Sequence, residues 1–144
     1  QTEFDTTRTN GITQETCRDL GHTQFALASI VYAAETVRIQ GTDDLYSEEQ
    51  NRIVTSYEYV AQLENEYPEL PQSTDKTKTV ASWLCGGTLT VGALPTWEVG
   101  YNHYNARKGI AMPQTLQTIG YVRANVGSWT NLQLAWETLT HAHP

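Results

Sequence analysis

Residues 22–40 read HTQFALASIVYAAETVRIQ. Leu27, Ile30, Val31, Ala34 and Val37 follow the i, i+3, i+4, i+7 spacing that puts apolar side chains on one stripe of an α-helix. Ala26, Ala28, Ala33 and Ala34 are small enough for a second helix to approach closely. Gly41 follows as a C′ glycine would, so the helix ends at about Gln40; its start lies near Glu15 or His22.

Downstream, Ser47 with Gln50 three residues on predicts a capping box, and Glu48 and Glu49 suit the positive end of the helix dipole. That second helix buries Ile53, Tyr57, Val60 and Ala61 and ends near residue 63, before ENEYP. Residues 64–94 carry no helical period. Their latter part, KTVASWLCGGTLTVGAL, is β-prone and Gly-rich and predicts a long connection holding one short hairpin. A third helix is expected over about 96–108, closed by Gly109. A fourth begins with Pro113 in its first turn and runs to about Arg123. Residues 1–14 read as an exposed lead-in, residues 125–144 as irregular chain, and no internal repeat is visible. The expected fold class is all-α, with four helices in two antiparallel pairs.

Composition narrows the function classes. A chain of 144 residues holds one domain. Four Trp and eight Tyr exclude a disordered chain, and they suit either an ordinary core or a surface that stacks on sugar rings. The net charge is −7 and no basic run exists, which speaks against nucleic acid and anionic membranes as partners. No apolar stretch approaches the ~20 residues of a membrane span. The polar opening QTEFDTTRTNG resembles a processed, secreted chain. Cys17 and Cys85 form an even pair, compatible with a disulfide outside the cell or with two buried thiols; a disulfide between them is the expectation carried forward.

Two segments place ionisable groups where a buried helix wants apolar ones. In CRDLGHTQF (17–25), Arg18 and His22 stand four apart on one helical face, with Phe25 continuing it. An ordinary first turn with a surface Arg and a capping His accounts for the same spacing. In WEVGYNHYNARKG (97–109), Tyr101, Tyr104 and Lys108 share a face, and His103 and Arg107 share the next. Either a cleft-lining helix or an aromatic packing face fits. HExxH, CxxC, GxSxG, P-loop and GxGxxG patterns are absent, and only His141 and His143 at the terminus have metal-ligand spacing. No metal and no cofactor is expected.

Together these segments resemble a known family. CRDLGHTQFALASIVYAAET followed by DLYSEEQNRIVTSYEYVAQ is similar to the RD-x-GHTQ helix, DLY turn and N-R…EY helix of alginate-lyase-domain proteins, a group that includes glucuronan and alginate lyases. PTWEVGYNHYNARKGIAMPQT resembles their P-x-WE…YNHY-x-x-R-x-G segment. The matches keep their order and cover roughly residues 11–63 and 95–120. The chain departs from the pattern at Cys17 and in the long 64–94 insertion.

The resemblance implies antiparallel α-hairpins forming part of an incomplete (α/α) toroid, with residues 1–144 as its carboxy-terminal part. A separate chain would then supply the amino-terminal half. It also implies β-elimination on a uronic-acid-containing polysaccharide. That chemistry needs the substrate carboxylate neutralised by Asn, His or Arg, and a base and an acid, for either of which a Tyr of lowered pKa serves. His22 is expected to hold the carboxylate and to face Tyr101 or Tyr104 across one cleft, with Arg107 or Arg18 nearby. Tyr101, Tyr104, His22 and Arg107 are the expected catalytic set. Arg18, Gln24, Asn102, His103 and Trp97 are expected to bind the acidic polysaccharide. A carbohydrate-binding or defence protein that keeps the scaffold without turnover is the alternative. The acidic net charge demands a local cationic cluster in either case.

Overall fold

A computed structural model describes residues 11–65, 77–79, 88–90, 92–122 and 140–141. Helix α1 spans Leu20–Gln40 and α2 spans Glu48–Asn65. Strands β1 (Thr77–Thr79) and β2 (Thr88–Thr90) pair antiparallel, Lys78 opposite Leu89. Helix α3 (Glu98–Tyr101) runs straight into a π-helical turn, Asn102–Arg107, and α4 covers Pro113–Tyr121. The protein is mainly helical, with the expected hairpin inside the long connection.

Each boundary has a local cause. Asp19 caps α1, its Oδ1 accepting the His22 N–H at 2.7 Å. Gly41 ends the helix in the left-handed region at φ 69°, its N–H bonded to the Arg38 carbonyl. Ser47 turns its hydroxyl back to the Asp44 carbonyl, while its own carbonyl accepts the Asn51 N–H. Asn51 has φ 62°, a left-handed conformation that asparagine tolerates. Gly109, also left-handed, closes the π turn, and the Ile110 N–H reaches back to the Tyr104 carbonyl at 2.8 Å.

Gln24, near the start of α1, bonds Glu64, near the end of α2, so the two helices run antiparallel. The stretch from Gly92 to Arg107 lies along α1 in the same direction: Gln24 holds its beginning and Glu35 its end. Helix α4 packs mainly on α2 rather than on α3, which corrects the second expected pair. Glu58 draws it there. Its two carboxylate oxygens accept the Gln114 and Thr115 N–H groups, donors that a helix start leaves without partners. Asn65 adds bonds to Gln114, Thr118 and Tyr121.

The core holds Leu20, Leu27, Val31 and Ala34 of α1, Tyr57, Val60 and Ala61 of α2, and Tyr46, Trp97, Tyr104 and Ile119. Val37 of the α1 stripe is only half-buried. Ile30 is 46% exposed and Ile53 is only half-buried. Both line an apolar groove of about 750 Å³ between α1 and α2, together with Ile12, Leu27, Ala33 and Leu45. Of the lead-in, residues 1–10 lie outside the described residues; Gly11 is buried and Ile12 and Thr13 are half-buried, so the rest is not wholly exposed. A Cβ on Gly11 would stand 2.4 Å from Tyr59 Cβ, so only glycine fits where this strand of chain crosses α2. Cys17 is disulfide-bonded; Cys85, the chain's other cysteine, lies outside the described residues. No helix among the described residues is long and apolar enough to cross a membrane.

Candidate functional site

The π turn sets the site's geometry. His103 and Tyr104 are consecutive, yet both are buried, and both rings meet Tyr46 in the turn before α2. The His103 imidazole stacks on Tyr46 at 3.6 Å between centroids, and Tyr104 meets Tyr46 edge-on at 5.4 Å. The Tyr104 hydroxyl donates to the Tyr46 carbonyl at 2.6 Å. In turn the Tyr46 hydroxyl donates to Glu35 Oε2 at 3.1 Å.

Glu35 is the hub. Its side chain is 7% exposed and takes two short bonds from the Arg38 guanidinium, both 2.8 Å. Arg107 donates to it at 3.3 Å and His141 at 3.2 Å. Burial alone would raise its pKa; the Arg38, His141 and Tyr46 hydrogen bonds and the Arg107 charge outweigh burial and hold it at about 2. Arg38 is raised by the same carboxylate. Above the buried anion, both guanidinium groups keep roughly a third of their side-chain surface in solvent. A local cationic cluster therefore exists on this acidic chain, although Asp44 stands close enough to act on His103.

Burial, with the Lys108 and Arg107 charges, lowers His103 to about 4, so its ring is neutral at ordinary pH. Its Nδ1 is buried without a hydrogen-bond partner among the described residues, as is the Asn102 Oδ1. Burial drives Tyr46 and Tyr104 upward, away from the phenolate form a base would need. Tyr104, expected to act as a base, is thus a packing residue with a committed hydroxyl. Tyr101 is half-buried against the core.

Other expected site residues lie elsewhere. Gln24 is buried and fully used: its amide donates to Leu20, Glu64 and Gly92, and its oxygen accepts the Leu94 N–H at 2.7 Å. It clasps the chain ahead of α3 and is not open to a ligand. Trp97 is buried edge-on against Tyr57, its Nε1 without a partner among the described residues. His22 stands thirteen residues before Glu35 on α1, about 20 Å along the axis, and points away from the helix's buried face. It meets Phe25 edge-on and bonds Asp19. Arg18, beside it, is exposed and pairs with Glu15 at 3.4 Å. Arg107 and His103 thus share one site, while His22 and Arg18 form a separate one.

Sequence reasoning missed Glu35, Arg38, Tyr46, His141, Glu64 and Asp19. Glu35 and Arg38 carried a signal, an i, i+3 ion pair on an otherwise apolar helix, and so did Asp19, three residues before His22. Tyr46 carried none. Among the described residues no group of three or more His, Cys, Asp or Glu is placed to hold a metal ion. Comparison with protein-family models, curated proteins and solved structures returns no match for this chain.

Proposed function

We propose that this chain is the carboxy-terminal part of a secreted (α/α)-toroid polysaccharide lyase, which cleaves a glucuronan- or alginate-type polysaccharide by β-elimination. One observation carries the reading: His22 presents a 44% exposed imidazole on the outward face of α1, held by a carboxylate. A neutral imidazole so placed can take the C5 proton of a uronate, and Arg18 beside it can neutralise the substrate carboxylate. Of the two tyrosines expected to act, Tyr101 is the one whose side chain is only half-buried. The apolar groove between α1 and α2 supports a second chain, the amino-terminal half, lying across Ile30 and Ile53.

The test is formation of the unsaturated product, followed by its ultraviolet absorbance, when native material meets glucuronan or alginate oligosaccharides. His22→Ala and Tyr101→Phe should each abolish it while leaving the helical circular dichroism unchanged. Binding of the oligosaccharides without any unsaturated product would instead establish the second reading, a non-catalytic carbohydrate-binding protein. The buried, committed Tyr104 hydroxyl favours that alternative.

A further inference from the structure

Asp19 makes two bonds to one residue. Its Oδ1 accepts the backbone N–H of His22 at 2.7 Å, and its Oδ2 lies 2.6 Å from His22 Nδ1. The first bond caps α1 and ties the carboxylate to the backbone. The second reaches a ring that also meets Phe25 edge-on, at 6.3 Å between centroids. An ionised carboxylate only accepts hydrogen bonds, so a neutral His22 must carry its proton on Nδ1. The lone pair then sits on Nε2, the nitrogen far from Asp19.

We propose that Asp19 is a positioning residue that holds His22 in the Nδ1–H tautomer, making Nε2 the atom that removes the proton from a uronate C5. This rests on the lyase reading. The step balances: the C5–H pair becomes the C4=C5 double bond as the C4–O bond breaks, and the proton goes to Nε2. The leaving oxygen takes a proton from water, and His22 later returns its own to solvent. During the step the imidazolium carries its charge against Asp19, which is held in the ionised form; burial opposes this, and the His22 hydrogen bonds and the Arg18 charge favour it.

Asp19→Asn separates the two bonds. Asparagine caps a helix as well as aspartate does, so α1 should keep its start. Its amide can turn an N–H toward Nδ1, which makes Nδ1 an acceptor and moves the ring proton to Nε2. The experiment reads the His22 ring by nitrogen-15 NMR in the native material, beside product formation. The expected result is Nδ1–H in the parent and Nε2–H in Asp19→Asn, with kcat falling about 100-fold or more and KM nearly unchanged. An Nε2–H ring in the parent, a tautomer that ignores the substitution, or an unchanged kcat would overturn the proposal. Material that forms no unsaturated product sinks the lyase reading alone, since the ring spectra still decide what Asp19 does.

Discussion

Two carboxylates of opposite temperament sit on α1 and α2. Glu64 is fully buried, accepts from Gln24 and the Gly92 N–H, and has no cation bonded to it among the described residues. Burial, partly offset by the Gly92 bond, raises it from 4.5 to about 7. A carboxyl raised by folding binds its proton more tightly in the folded state, so its contribution is present below pH 4.5 and is lost as pH climbs to about 7. Glu64→Gln should remove that slope, leaving the variant more stable than the parent above pH 7 by something on the order of 2–3 kcal/mol, measured by denaturant melts across pH. Glu35 behaves in the reverse sense. Its stabilisation is present above pH 4.5 and lost as pH falls toward 2. Glu35→Gln should flatten the acid limb of the same melts, while lowering stability at neutral pH by leaving two guanidinium groups without their anion. An acid limb identical to the parent's would refute the hub assignment.

The π turn and its neighbours depend on one close approach. A Cβ on Gly100 would stand 2.7 Å from the Tyr57 ring, in the layer between α2 and α3. Gly100→Ala should therefore cost about 1–3 kcal/mol, read as a lower thermal midpoint, because Tyr57 also bonds the Thr96 carbonyl and cannot swing aside freely. Helix α4 has its own dependency. Its first turn has no cap of its own and borrows the Glu58 carboxylate. Glu58→Ala should loosen it by about 1 kcal/mol, seen as faster amide exchange at Gln114 and Thr115 with α1 unaffected.

At the scale of the whole molecule, the apolar groove beside Ile30 is an unfilled feature of about 750 Å³. If a second chain covers it, native material should contain a co-purifying polypeptide, and Ile30→Asp should release that polypeptide while the α1–α2 pair stays folded. A chain that sediments as a monomer in both forms would mean the groove faces solvent.

Helix positions were legible in the sequence because their determinants are local. The stripe over residues 27–34, Gly41, Gly109 and Pro113 act within a turn or two of where they stand, and α1, α2 and α4 begin and end within about two residues of the bounds expected from sequence. The first segment's Arg18–His22 pairing could be placed on one face, yet the bond that orients His22 comes from Asp19, a residue read only as part of a motif. What the YNHY segment would face was not local at all. Tyr46 is 58 residues from Tyr104 and Glu35 is 72 from Arg107. No periodicity reports contacts at that range, so burial of His103 and Tyr104 had to wait for the packing of α1, the Tyr46 turn and the π turn together. Tertiary structure also separated His22 from Arg107, because a rigid helix holds its two ends apart whatever chemistry their residue types suggest.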